Sequence, residues 1–409
     1  MNKLEQLIEE LCPNGVEYIS IYSCVLKVEN VKWIEYKDEI FQYIDLSSVD
    51  RDTHTIIETQ TITADNAPSR AQQIVQAGDI LFGTTRPMLK RYCQIDSKFN
   101  NQICSTGFCV IRANKDIIDP RWLYHIISST DFFRHVEKFQ RGASYPAISD
   151  YDVKNFRIPL PPRQIQCEIV RILDTFTELT AELTAELTAR KKQYEYYRDN
   201  LLTFDDKVPM VKLGDIATDI YRGTGIKRDE VTTKGIPCVR YGEIYTSYDI
   251  SFTECKSHTS DNVVKNPKWF EHGDIIFTIT GESIEEIAKS IAYLGYEKCL
   301  AGGDTVVLKH DQEPRYMSYV LSTRNAQCQK SKGKIKSKVV HSSVPALKEI
   351  VIPLPDYETQ EKIADQLDNF HKLVNDMTVG LPAEIKARQQ QYEYYRDQLL
   401  TFPKADLEV

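Results

Sequence analysis

The sequence predicts an α+β protein written twice: two similar mixed α/β modules, each followed by a long helix, with the two helices packed on one another. Three observations predict it. The segment QYEYYRDNLLTF, Gln193 to Phe204, returns as QYEYYRDQLLTF, Gln391 to Phe402, with only Asn200 replaced by Gln398. Other landmarks recur in the same order: AGDILFGTT from Ala77 and HGDIIFTIT from His272, DPRWLYHI from Asp119 and EPRYMSYV from Glu313, IPLPPRQIQCEIVRILDTF from Ile158 and IPLPDYETQEKIADQLDNF from Ile352. After each I-P-L-P comes the strongest helical periodicity of its half. Matched segments in a fixed order mark a tandem duplication, and they divide the chain into a module (1–158), a helix (159–204), a second module (205–352) and a second helix (353–403).

Within the modules, short β-branched and aromatic runs bounded by Gly, Asp and Ser read as strands: IFQYIDL, DILFGTT and GFCVIR in the first, DIIFTIT and DTVVLKH in the second. WLYHIISSTDFFRHVEKF from Trp122 and RYMSYVLSTRNAQCQ from Arg315 carry apolar residues at helical spacing. The prolines of I-P-L-P force an extended approach to each long helix.

In the first long helix the apolar series is Ile165, Ile169, Ile172, Phe176, Leu179, Leu183, Leu187, Tyr194, Tyr197 and Leu201. The second has Ile363, Leu367, Phe370, Val374, Met377, Leu381, Ile385, Tyr392, Tyr395 and Leu399. Steps of three and four residues alternate as in a coiled-coil seam, with an extra four-residue step near Leu187. Each helix spans roughly 40 residues, about 60 Å, and needs a partner to bury its stripe. Two irregularities stand out. TELTAELTAELTA, Thr177 to Ala189, is a four-residue repeat of good helix formers, whereas VGLPA, Val379 to Ala383, places Gly380 and Pro382 where they kink or restart the second helix.

A chain of 409 residues with 42% hydrophobic and 27% charged residues is long enough for two cores and is not disordered. Its opening residues lack the apolar run of a signal peptide, and no stretch is long and apolar enough to cross a bilayer, so a cytoplasmic protein is expected. The ten cysteines (Cys12, Cys24, Cys93, Cys104, Cys109, Cys167, Cys238, Cys255, Cys299, Cys328) form no C-x-x-C pair and read as reduced structural thiols. The eight histidines, His54, His125, His135 and His272 among them, show no ligand spacing, so no metal site is expected.

Catalytic signatures are missing as well. There is no N-P-P-Y or D-P-P-Y loop with a glycine-rich cofactor turn, and no phosphate-binding G-x-x-x-x-G-K-[ST]. Glu-x-Lys occurs at Glu35 to Lys37 and at Glu254 to Lys256, but a tripeptide arises by chance in a chain this charged and neither copy has an upstream Pro-Asp.

A net charge of −8 argues against nucleic-acid binding, because affinity for phosphates comes from Lys and Arg, yet net charge says nothing about placement. Leu321 to Val340 holds six basic residues and no acidic one, and Ile80 to Gln94 holds Arg86, Lys90 and Arg91. These runs supply the candidate DNA-contacting residues. In the first module they are Thr84, Thr85, Arg86, Lys90 and Arg91, with Arg141, Ser144 and Tyr145 from FQRGASYPAIS; in the second they are Lys332, Lys334, Lys336 and Lys338 from SKGKIKSK. Arginine suits a guanine edge because its fork donates to O6 and N7 together. The second module has Gly281 where the first has Arg86, so the two halves would read different sequences. The tyrosines of Q-Y-E-Y-Y lie on the helical stripe and read as packing side chains rather than base-stacking ones.

Two modules that each close with I-P-L-P and a long helix, a T-A-E-L repeat between them and an opening LIEELCPNGVEY resemble the specificity subunit of type I restriction-modification systems along the whole chain. The resemblance implies two target-recognition domains, each reading one half of a split, asymmetric site in double-stranded DNA, with the long helices packed antiparallel as a ruler. It implies that two modification subunits attach to those helices, bind S-adenosylmethionine and methylate adenine, and that motor-nuclease restriction subunits complete the enzyme. The chain itself would carry no catalytic site and no cofactor. Leu179, Leu183, Leu187, Tyr194, Tyr197, Tyr392 and Tyr395 are the candidate helix-pair and subunit-interface residues. The alternative is a coiled-coil adaptor with two protein-binding heads.

Overall fold

The structure, a computed structural model, describes residues 3–260, 266–334, 339–375 and 380–405. Two compact units are present: Met1–Ala185 with Glu384–Val409, and Glu186–Ala383. The first long helix, Arg163–Leu201, therefore runs from one unit into the other, and the C-terminal helix returns to the first.

In the first unit the strands Val25–Leu26, Phe108–Ala113, Ile80–Gly83 and Tyr92–Gln94 form an antiparallel sheet in that order. A second sheet holds Gln60–Ile62, Phe41–Ile44, Ile103–Ser105 and Ala71–Ile74, with Phe41–Ile44 parallel to Ile103–Ser105. The run expected as one helix from Trp122 is two, Pro120–Ser128 and Thr130–Phe139. Ser129 separates them because its hydroxyl caps the second, accepting from the Phe132 amide.

The second unit repeats this plan with five-stranded sheets. One runs Asp219–Arg222, Thr305–Lys309, Ile275–Thr278, Ser290–Tyr293, Ser251–Phe252; the other runs Val231–Thr232, Ser257–Thr259, Ile236–Val239, Cys299–Ala301, Trp269–Phe270. Ile236–Val239 lies parallel to Cys299–Ala301, as its counterpart does in the first unit. Here too the helical run breaks, into Pro314–Leu321 and Arg324–Ser331, with Thr323 as the cap. Both I-P-L-P segments are extended: Arg157–Pro159 pairs with Tyr18–Ser20, and Val351–Pro353 with Met210–Lys212.

Each unit buries part of both long helices. In the first, Ile165, Ile169 and Leu173 join Trp122, Phe82 and Phe132 in one core, which Leu400 and Phe402 from the C-terminal end of the chain complete. In the second, Tyr194 and Leu202 share a core with Ile363, Ala364 and Leu367. The stacked pairs Phe176 with Tyr395 and Tyr197 with Phe370 show each helix meeting its partner inside a unit. The second helix is interrupted as its glycine and proline foretell: Tyr357–Asn375 ends, and Leu381–Leu399 starts after Gly380 at φ 77° with Pro382 in its first turn. Met377 and Val379 lie outside the described residues.

Candidate nucleic-acid interface

In the first unit the structure brings together the two loops singled out from sequence. Thr85 pairs through its backbone with Ala147, the Arg86 amide donates to the Pro146 carbonyl (2.7 Å) and the Ile148 amide to the Thr84 carbonyl (3.0 Å). Arg141 and Ala147 exchange two backbone hydrogen bonds of 2.8 Å, closing a tight loop in which Gly142 has φ 104°. A side chain at Gly142 would be strained there and would crowd the Tyr145 carbonyl.

Arg86 and Lys90 flank a short 3-10 turn, Pro87–Leu89, both in the left-handed region at φ 49° and 55°. Such a backbone is uncommon outside glycine and asparagine, and it gathers where surrounding structure forces a side chain into a particular direction. Both side chains are exposed. The Arg86 guanidinium lies 4.3 Å from the centre of the Tyr145 ring, itself 71% exposed, and Lys90 lies 5.1 Å from that of Phe133. The result is a cationic, aromatic-backed projection.

Other candidates are placed differently. Thr84 is buried and its hydroxyl donates to the Gly107 carbonyl (2.9 Å). Arg91 donates to the carbonyls of Leu46 and Val49, which ties it to the neighbouring loop. Arg141 and Ser144 are exposed beside Tyr145.

The second unit builds the same backbone frame. Thr280 pairs with His341, the Ser342 amide donates to the Ile279 carbonyl (2.9 Å), and Gly281 stands where the first unit has Arg86. Of the lysine loop, Lys332 is exposed and the Lys334 ammonium donates to the His341 carbonyl (2.6 Å); Lys336 and Lys338 lie outside the described residues. Lys330, from the same basic run, turns inward. It is 4% exposed, donates to the Leu321 carbonyl (2.7 Å) and lies 5.8 Å from the centre of the Phe277 ring, and burial holds its pKa down at about 7.

On the helices, Tyr194 is buried and Tyr392 bonds His125 (2.9 Å), whereas Tyr197 and Tyr395 stack at the rim and stay 46% and 41% exposed. Leu179, Leu183 and Leu187 are half-buried.

Sequence reasoning missed the polar clamps that seat each module on its helix. Arg121 pairs with Asp174 (2.7 Å) and Arg315 with Asp368 (2.8 Å). Burial opposes ionisation of Asp174, but its bonds to His125 and the charge of Arg121 hold its pKa below the ordinary value. Gln166 accepts from the Asp119 amide (2.9 Å) and donates to the Pro161 carbonyl (2.8 Å); Gln360 does the same with Glu313 (3.1 Å) and Pro355 (2.8 Å). The signal was present, because these residues match at the spacing that separates Ile158 from Ile352. Among the described residues no group of three or more His, Cys, Asp or Glu could hold a metal ion, and no helix is long and apolar enough to cross a membrane.

The two units thus share one backbone frame and differ in the groups that it presents. The model of the type I restriction modification DNA specificity domain matches twice, over residues 25–190 and 205–387, and the chain belongs to that family. It is 35% identical over 273 residues to the type I restriction enzyme EcoR124I/EcoR124II specificity subunit of Escherichia coli, a match covering 63% of this chain and 66%, just under two thirds, of that one. A chain from a solved type I restriction-modification system, described for its complex assembly and conformational transition, shares the fold at a TM-score of 0.63 and 24% identity, over 97% of this chain and 100% of that chain.

Proposed function

We propose that this chain is the non-catalytic DNA-reading subunit of a cytoplasmic type I restriction-modification complex. Each unit reads one half of a bipartite, asymmetric site, and the long helices carry two modification subunits, which the restriction subunits join. S-adenosylmethionine belongs to the modification subunits. One observation carries the reading: the same two loops are paired by the same backbone bonds in both units, yet present Arg86 against Tyr145 in one and Gly281 in the other. A shared frame that presents different groups in its two copies is what reading two different sequences requires.

The test is to co-express the chain with its cognate modification subunits and map methylated adenines by sequencing. A single split motif is expected. Methylation without a split motif, or DNA binding by the complex that ignores salt and sequence, would reject the proposal. Calorimetric titration of the isolated chain with S-adenosylmethionine should show no saturable binding.

A further inference from the structure

The two units differ where the chain leaves the strand that runs parallel in each second sheet. In the first unit, Phe41–Ile44 is followed by a turn closed on itself: the Asp45 carboxylate accepts from the amides of Ser47 (2.7 Å) and Ser48 (3.0 Å). Leu46 then covers Gly83, where an added Cβ would lie 3.0 Å from its Cδ2. That edge is apolar and satisfied, and the arginine stands elsewhere, at Arg86.

In the second unit the matching strand, Ile236–Val239, leads through Arg240 into a short helix, Tyr241–Thr246. Tyr245 from this helix shares a 2.7 Å hydrogen bond with the Thr278 hydroxyl, at the position of Gly83. A Cβ on Gly281 would lie 2.7 Å from the Tyr245 hydroxyl oxygen, so no side chain fits at the place of Arg86 unless Tyr245 moves.

Arg240 is the other half of the arrangement. Its side chain is 29% exposed, and its Nε is buried with no hydrogen-bond partner among the described residues. The adjacent carboxylate, Glu243, stands 4.0 Å away and is already committed, accepting from the Arg240 amide (2.9 Å) and from the Ser257 hydroxyl. Arg222 and Arg315, elsewhere in the unit, are both ion-paired at hydrogen-bonding distance. An under-bonded guanidinium at the rim, close in sequence to a phenol that has displaced the other unit's arginine, is suited to accept a ligand with paired acceptors.

We infer that the second unit reads its half-site through Arg240 and Tyr245, from the segment after Ile236–Val239, and not through the turn that carries Arg86 in the first unit. The base that fits is guanine, whose O6 and N7 accept a guanidinium fork. This rests on the chain being a DNA-specificity subunit.

The experiment uses the full chain with its cognate modification subunits and maps methylated adenines for Arg240→Gln, Tyr245→Phe and Arg86→Ala. Arg240→Gln is expected to relax one guanine, with roughly tenfold to hundredfold loss of discrimination, in one half-site only. Tyr245→Phe keeps the ring and should relax a position in that same half-site, while Arg86→Ala should act in the other. The untouched half-site reports folding and assembly in every sample. Unchanged half-sites in both Arg240→Gln and Tyr245→Phe, or changes in the half-site that responds to Arg86→Ala, would overturn the inference. Should Arg240→Gln abolish methylation, Arg240→Lys decides: a relaxed half-site supports the fork and an unchanged one removes it. Failure of the unaltered complex to methylate any split motif would instead defeat the broader functional reading.

Discussion

Replacing Gln166 by leucine probes how a recognition module is seated on its helix. Gln166 is 1% exposed, and its amide bridges the Asp119 N–H and the Pro161 carbonyl at 2.9 and 2.8 Å. Leucine fills a similar volume but leaves the buried Pro161 carbonyl and the part-buried Asp119 N–H without their Gln166 partner. A buried orphan costs about 1–3 kcal/mol and a part-buried one less, so the substitution should cost about 1–4 kcal/mol. That is a large part of the ~5–15 kcal/mol that holds an ordinary domain folded. Denaturant unfolding followed by tryptophan fluorescence is a suitable assay, because Trp122 is fully buried in the same core. The first unit's transition should move to lower denaturant with little change in slope. Gln360→Leu should do the same in the second unit, where the bridge joins Glu313 and Pro355. Gln166→Glu can still accept from Asp119 but turns a carboxylate toward the Pro161 carbonyl, and should recover little stability. A loss under about 1 kcal/mol for Gln166→Leu would refute the claim that these two bonds hold the module on its helix.

Three further outcomes are expected. Arg86→Ala should weaken discrimination at one position of one half-site by about 1–3 kcal/mol, while Lys332→Ala should weaken binding to all sequences and flatten the salt slope by about one; equilibrium binding across a salt series checks both. Lys330 titrates at about 7 in the fold and at roughly 10.4 when unfolded, so between these values the unfolded chain binds more protons and stability rises with pH. Lys330→Met should remove that rise, seen by comparing unfolding free energies at about pH 7 and pH 9. Deleting Thr184 to Leu187 removes one T-A-E-L unit, shortening the helix by about 6 Å and rotating its C-terminal part by about 40°. Both half-site sequences should persist with the unread spacer about one or two base pairs shorter; an unchanged spacer in a fully active deletion mutant would show that this helix does not set it.

Much of the fold was legible because its determinants are local. Short β-branched and aromatic runs became Ile80–Gly83, Ile275–Thr278 and Thr305–Lys309, and the T-A-E-L segment lies in an unbroken helix of 39 residues. The second helix restarts at Leu381, directly after Gly380 at φ 77° and with Pro382 in its first turn, for the backbone reasons that mark these residues anywhere. Finer punctuation was less visible: Ser129 and Thr323 sit inside apolar periodicity, and only their capping bonds show that each helix ends there.

By itself the sequence determined the duplication, the element types, the continuous helix, the interrupted one and the loops that carry unopposed positive charge. Only the tertiary structure decided which of those charges face outward. Lys330 and Arg86 look alike in a basic run, but one closes over Phe277 and the other projects over Tyr145. The same holds for Thr84 and Thr85, adjacent in sequence, one spent on Gly107 and the other paired with Ala147. The bonds that sort them join residues far apart in the chain. They depend on sheet register and on what each neighbouring carbonyl lacks, and no local spacing of residue types encodes either.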